Sequence, residues 1–233
     1  MTMRALKLIG KVLSLQVPPR SLVYSARNKI NVWLGKEDRR FIFEKLYLEH
    51  GDIWHYETSD YERTKYRQTL DRIVALRSGN ASVLEVGCSV GVFTESLAAQ
   101  FEQVTAIDIS QEAIALAAQR HARPNIRFVR SDISELPAAS RYDVIVCAEI
   151  LYHIPKGDAA RVVNKLADLL SDRGIVVAVF GITDSTEAGY FDDWNDALTE
   201  RFECLAVDHF EDRNRPYRIA AYAMDRAHGQ PHG

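Results

Sequence analysis

Between positions 83 and 91 the chain reads Val83-Leu84-Glu85-Val86-Gly87-Cys88-Ser89-Val90-Gly91, an apolar strand running directly into a glycine-containing turn and then a helical pattern. Glycines at such a turn let the chain bend sharply and let a ligand approach the backbone, while the helix start presents free N–H groups. A nucleotide-like ligand fits this arrangement, although a tight turn without a ligand needs glycine too. Acids at the ends of the following strands add to the signal. Asp108 ends Val104-Thr105-Ala106-Ile107-Asp108, Asp132 follows Phe128-Val129-Arg130-Ser131, and Glu149 closes the fourth strand. In an open α/β sheet the crevice lies outside the carboxyl ends of the strands, so these side chains converge on one edge. An acid just past the second strand can accept hydrogen bonds from both hydroxyls of a ribose. Taken singly, Asp108 or Asp132 could instead cap the helix that follows it.

The elements that must position these residues are legible as an alternation. Short apolar runs predict strands at 82–86, 103–107, 126–130, 142–147 and 174–180, with helical patterns at about 92–100, 111–121 and 158–170. A further helix is expected near 191–201, followed by strands at 203–210 and 217–224. Such alternation is the signature of a parallel sheet covered by helices on both faces. The last link, 211–216, is too short for a parallel crossover, so the seven-stranded, mostly parallel sheet is expected to close with an antiparallel strand. Ser78-Gly79-Asn80 is a turn cluster that marks the start of the strand-containing region. Before it, residues 36–77 keep helical character, with Tyr61, Tyr66, Leu70, Ile73 and Leu76 on one face. Further upstream, Met3, Leu6, Ile9, Val12 and Leu13 recur at helical spacing among basic residues, which predicts an amphipathic helix ended by Pro18-Pro19. The expected division is a basic helical extension over 1–50, an α/β domain over 51–225 with a lid at 54–78, and a disordered tail over 226–233.

With these residues in place, the sequence resembles the class I S-adenosylmethionine-dependent methyltransferases over roughly residues 54–181, whose fold is Rossmann-like. The resemblance implies that Glu85, Gly87, Cys88, Ser89 and Gly91 belong to the motif that wraps the methionine part of the cofactor. It implies Asp108 with Ile109 at the ribose and Asp132 with Ile133 at the adenine. The common pattern has a further glycine where this chain has Ser89. A closer likeness lies in Trp54, then Ser59-Asp60-Tyr61-Glu62-Arg63-Thr64-Lys65-Tyr66, then Gly-Cys-Ser-x-Gly, and later Ala148-Glu149-Ile150-Leu151-Tyr152-His153. These segments are similar to the nodulation protein S family, which N-methylates a deacetylated amino sugar on a chitooligosaccharide. The resemblance implies that the Tyr61 to Tyr66 segment closes over the cofactor, with Tyr61 and Lys65 near its carboxylate. Packing of Trp54, Tyr61 and Tyr66 against the core is the plainer alternative. The basic leader is not a feature associated with that family, which leaves the acceptor open.

Methyl transfer from a sulfonium is an in-line displacement, for which positioning in a polar pocket suffices without a metal. The product would be S-adenosylhomocysteine. An amine acceptor must be neutral to attack. His153, Glu149 and Tyr152 stand just beyond the fourth strand as candidates for the catalytic groups, His153 being best matched to accepting a proton near neutrality. Glu149 could instead hold the cofactor or an acceptor hydroxyl or ammonium, and His153 could be a helix-start residue bonded to backbone. O-methylation of a sugar or phenol, as in a small-molecule O-methyltransferase, and a non-catalytic cofactor-binding module leave nearly the same trace. Gly87-Cys88-Ser89-Val90-Gly91 also matches the serine-esterase turn. Asp208 and His209 are adjacent in an expected strand, however, and should face opposite ways, so they cannot line up behind one serine.

Composition bounds the partners. The 233 residues are 47% hydrophobic and 26% charged, as in a globular protein able to bury a core. Three cysteines, Cys88, Cys147 and Cys204, form neither a disulfide framework nor a metal-binding pair, which points to the cytoplasm. The formal charge of -3 is asymmetric: residues 1–40 carry nine Lys/Arg and two Asp/Glu, a net +7, leaving -10 for the rest. An acidic site-bearing domain argues against nucleic acid as substrate. The basic leader could contact a membrane surface or an acidic partner, or be a solvated face docked on the domain. A monomer or a homodimer is expected, acting on a small molecule or a saccharide.

Overall fold

The computed structural model describes residues 36–137, 139–182, 185–212 and 215–224. The expected amphipathic helix near the N-terminus and the tail over 226–233 lie outside these residues. Two helices, α1 (Lys36–His50) and α2 (Asp60–Leu76), precede the alternating region. It comprises β1 (Ser82–Val86), α3 (Val92–Ala98), β2 (Gln103–Asp108), α4 (Gln111–Arg120), β3 (Ile126–Arg130) and β4 (Tyr142–Ala148). Then come α5 (Ala159–Leu169), β5 (Leu170–Gly181), α6 (Ser185–Thr199), β6 (Phe202–Phe210) and β7 (Tyr217–Met224).

The seven strands form one sheet in the order β3-β2-β1-β4-β5-β7-β6. Neighbours from β3 through β5 pair in parallel, and β7 inserts antiparallel between β5 and β6. The expected antiparallel pair is therefore present at the end of the sheet, with the last strand, β7, placed between β5 and β6. The chain builds outward from β1 to β3 and then returns to lay β4 on the other side of β1. That reversal opens a crevice at the carboxyl ends of β1 and β4, where an α/β sheet of this kind binds its ligand.

Strand residues alternate between two apolar layers, as the two-residue period of a strand requires. Leu84, Val86, Ile145, Cys147, Val176 and Ala178 face one layer, with Val162, Leu166, Trp194 and Leu198 from α5 and α6. Val83, Val144, Val146, Ile175 and Val177 face the other, with Ile73 of α2 and Phe93 and Leu97 of α3. A smaller cluster seats α1: Ile42, Leu46 and Tyr47 pack with Ile53, Trp54, Val90 and Ala113, which puts α1 across the glycine turn and α4. Among the described residues no helix is long and apolar enough to cross a membrane.

Two elements begin earlier than their apolar pattern implies. Helix α6 starts at Ser185, because Phe191, Trp194 and Leu198 supply the periodic signal while the polar first turn supplies none. Strand β5 starts at Leu170, paired with Tyr142 ahead of a register irregularity, so the polar Ser171-Asp172-Arg173 run interrupts the pattern without ending the strand.

Trp194 is 2% exposed and fills the space between α6 and the sheet. Truncating a buried aromatic side chain loses its transfer free energy and leaves a cavity. Trp194→Ala is expected to lower stability by about 3–5 kcal/mol, read as a fall in the urea midpoint with unchanged slope.

Candidate functional site

The glycine turn is hooked over the end of β2 by backbone bonds, since the amides of Gly87 and Cys88 both donate to the carbonyl of Ile107 at 2.8 and 2.9 Å. Gly87 has φ +78°, which an L side chain rarely adopts, and a Cβ there would lie 2.8 Å from side-chain atoms of Ile150, so any other residue would be strained and would force Ile150 to move. Ser89 occupies the left-handed region with φ 51° despite its side chain. Its amide donates to Asp108 Oδ2 at 3.0 Å, and its hydroxyl accepts from Tyr47 of α1 at 2.7 Å.

Asp108 is 8% exposed and receives a second backbone bond, from the Ser110 amide to Oδ1 at 2.9 Å. The helix cap that might have explained Asp108 belongs instead to Ser110, whose hydroxyl accepts from the Ala113 amide at 3.1 Å. Asp132 does cap the short helical turn Ile133–Glu135, accepting from the amide and hydroxyl of Ser134. Glu85 lies beneath the turn, where its carboxylate accepts a 2.5 Å bond from the Thr94 hydroxyl. Desolvation pushes Glu85 up to about 8 and Asp108 up to about 6, the latter against the pull of its backbone donors.

Across the crevice, Glu149 also takes a left-handed conformation, φ 55°, with its amide bonded to the carbonyl of Val179. The side chain enters a buried charge cluster. Lys65 of α2 pairs with Glu149 and, at 2.6 Å, with Glu62, while Arg215 pairs with Glu149 and, at 3.1 Å, with Glu62. The Tyr152 hydroxyl donates to Glu149 Oε2 at 2.9 Å, and Tyr61 donates to the carbonyl of Arg215 at 2.9 Å. Two carboxylates and two cations thus join α2, the end of β4 and the start of β7.

Two adjoining hollows lie between these walls. One, about 530 Å³ counting its mouth, is lined by Tyr47, Trp54, Tyr56, Ser89, Ala148, Glu149 and Tyr152. The other, about 500 Å³ on the same measure, is lined by Arg39, Val86, Ile107, Ser131, Asp132, Ile133 and Ile154. They share Phe43, Gly87, Asp108, Ile109, Ile150 and His153, so Asp108 stands at their junction. His153 meets Phe43 edge to face with ring centroids 5.4 Å apart. The structure therefore brings together Gly87, Ser89, Asp108, Ile109, Asp132, Ile133, Glu149, Tyr152 and His153. Tyr61, Lys65, Glu85, Cys88 and Gly91 stand behind the walls: Lys65 reaches the hollow through Glu149, and Gly91 opens α3. Among the described residues no group of three or more His, Cys, Asp or Glu is placed to hold a metal.

Helix α1 supplies wall residues that the motifs did not reveal. Arg39, Phe43 and Tyr47 recur every fourth residue on one face, a pattern present in the sequence but easily taken for packing. Arg215 had no local signal, because its partners Glu62 and Glu149 are remote in the chain.

Asp208 and His209, the partners a serine hydrolase would need, are on β6, where Asp208 binds Arg72 through both oxygens. Ser89 is engaged instead with Tyr47.

The family profile described as Nodulation protein S (NodS) matches residues 36–185 of this chain. The chain belongs to the nodulation protein S family. The nodulation protein S of Rhizobium tropici is 36% identical over 125 residues, 53% of this chain and 51% of that protein. That of Bradyrhizobium diazoefficiens is 38% identical over 109 residues, covering 46% and 51%. The chain thus spans about half the length of these relatives. Its fold matches that of the N-methyltransferase NodS from Bradyrhizobium japonicum WM9, solved in complex with S-adenosyl-L-homocysteine. The TM-score is 0.70 at 24% identity, over 79% of this chain and 98% of that one.

Two tests follow from the electrostatics. Removing one partner of a buried ion pair strands the other, so Lys65→Met is expected to cost about 3–5 kcal/mol, measured by urea unfolding. Glu85 and Asp108 both bind protons more tightly folded than unfolded, so stability falls as pH rises from the unfolded carboxylate range toward about 8 and about 6 respectively. In Glu85→Gln that fall should become shallower between about pH 4.5 and 8 and the profile below that range should stay unchanged; an identical pH profile would show that Glu85 binds its proton no more tightly folded than unfolded.

Proposed function

We propose that this chain transfers a methyl group from S-adenosylmethionine to an amine of a sugar or oligosaccharide. What carries the reading is the placement of Asp108 at the junction of two hollows on the topological switch of the sheet, in a chain of the nodulation protein S family. The residues present fit this cofactor. Gly87 and Asp108 both line the two hollows, and Asp108 keeps acceptor capacity for a ribose hydroxyl beyond its backbone donors. Asp132 and Ile133 offer a polar and an apolar contact for the adenine in the second hollow. The choice of cofactor is supported by a neighbour of the same fold, the N-methyltransferase NodS of Bradyrhizobium japonicum WM9, which was solved in complex with S-adenosyl-L-homocysteine.

Bound in this way, the cofactor supplies an electrophilic methyl on a sulfonium. The chain's part is to hold an acceptor in line and to take its proton. Trp54, Tyr56 and Phe43 give the first hollow aromatic walls of the kind that stack on sugar rings. Glu149 is paired with Lys65 and Arg215 and accepts a hydrogen bond from the Tyr152 hydroxyl. That leaves His153, at the junction of the hollows, as the group best suited to accept a proton from an ammonium near neutral pH. The amine acceptor follows from the family likeness; a saccharide bearing it is consistent with the aromatic walls.

Mass spectrometry of products, after incubation with S-adenosylmethionine and a panel of amino sugars, neutral sugars and phenols, tests the reading. One added methyl on amine acceptors alone is expected; methylation confined to hydroxyls would overturn it. Asp108→Ala should weaken S-adenosylhomocysteine binding by more than about tenfold, equivalent to about 1.4 kcal/mol, by titration calorimetry. Unchanged affinity would remove Asp108 from the ribose.

A further inference from the structure

We propose that Glu44 and Tyr47 of α1 are positioning residues that set the geometry of Asp108 through the two serines flanking it. This rests on the reading of Asp108 as the acid that receives the cofactor's ribose. The Ser89 amide donates to Asp108 Oδ2 and the Ser110 amide to Oδ1, with the Ile109 amide as a further, weaker backbone partner. The hydroxyls of those same serines are both held by α1. Tyr47 donates to Ser89 Oγ at 2.7 Å, and Ser110 Oγ donates to Glu44 Oε2 at 2.7 Å. Glu44 and Tyr47 are one turn apart on the helix and so reach both serines from a single rigid element. Tyr47, Ser89 and Ser110 are shielded from water, at 4%, 7% and 0% exposed, while Glu44 is half-buried at the edge of the arrangement.

The arrangement accounts for the departure at position 89. A glycine would adopt the left-handed conformation without strain, whereas Ser89 adopts it at a cost and returns a hydroxyl for Tyr47. Tyr47 is itself oriented by a side-chain hydrogen bond from Trp54, so the grip extends into the segment between α1 and α2. A carboxylate whose supporting amides can shift loses the alignment that a paired contact to two hydroxyls needs.

The test compares binding of S-adenosylhomocysteine with its 2′-deoxyribose analogue by calorimetry in wild-type protein, Tyr47→Phe, Ser89→Gly, Glu44→Leu and Glu44→Gln. The ratio of the two dissociation constants measures what Asp108 extracts from the ribose. Tyr47→Phe and Glu44→Leu should each shrink that ratio at least about five-fold, the worth of one hydrogen bond lost or misaligned. Glu44→Gln, which still accepts from Ser110, should restore it. Ser89→Gly should be at least as stable as wild type in urea and yet show the same shrunken ratio, which separates positioning from folding. If the variants weaken both ligands equally, α1 is only a structural support and the proposal is overturned. If wild type binds S-adenosylhomocysteine but does not distinguish the analogue, the ribose assignment fails. If wild type binds neither ligand, the cofactor reading itself fails, and this proposal with it.

Discussion

Glu149 is a carboxylate held almost out of water at the end of β4, and the geometry of the site depends on the two cations that keep it there. A lone charge in this position would be neutralised or would unfold its surroundings, because desolvation costs several kcal/mol per ion. Lys65 and Arg215 prevent this, and Glu62 completes the balance by pairing with both. The partners come from a helix before the sheet and from the link into its last strand. One cluster therefore closes the open side of the crevice using elements that no local interaction joins. Because desolvation offsets much of the attraction in such a cluster, what its geometry shows is that it ties α2 and the β6–β7 link to the end of β4.

The fold was legible because its signals are local. Strand alternation, the glycine turn and the short final link each depend on neighbouring residues, and together they specify a parallel sheet with one reversed strand. The position of β7 inside the edge strand was not legible, since a hairpin fixes the pairing of β6 with β7 but not which of them meets β5. The site divides along the same line. Asp108, Asp132 and Glu149 stand at strand ends and could be read directly, whereas Tyr47, Glu44 and Arg215 act across 42, 66 and 66 residues of chain. Asp132 also shows that the plain and functional readings need not compete, because it caps a turn and lines a hollow with the same carboxylate.

Burial gives the two acids on the β1–β2 side of the crevice a different character from the one on the β4 side. Among the described residues no cation pairs with Glu85 or Asp108, which meet hydroxyl and amide donors, and desolvation raises both. Glu149 has two cations. The crevice is therefore flanked by acids that hold protons readily on one side and by a compensated ion cluster on the other. A cationic centre entering between them meets negative potential from Asp108 at close range, while Glu149 stays committed to its partners.

Strain follows the same geography. Among the described residues, the non-glycine positions with positive φ are His55, Ser89 and Glu149. Ser89 and Glu149 line the first hollow, and His55 lies between Trp54 and Tyr56, which also line it. Each such residue costs on the order of 1–3 kcal/mol and persists only where its surroundings over-determine it. Here they do: the His55 amide donates to the Asp52 carbonyl, Ser89 is tied to Asp108 and Tyr47, and Glu149 is tied to Val179 and the charge cluster. The two apolar layers of the sheet contain no such position, so the folding energy they supply is what sustains the strained segments at its carboxyl edge. Relaxing any of the three would be expected to favour the fold and loosen the pocket, which is why sequence rules of local propensity lose their hold at these residues.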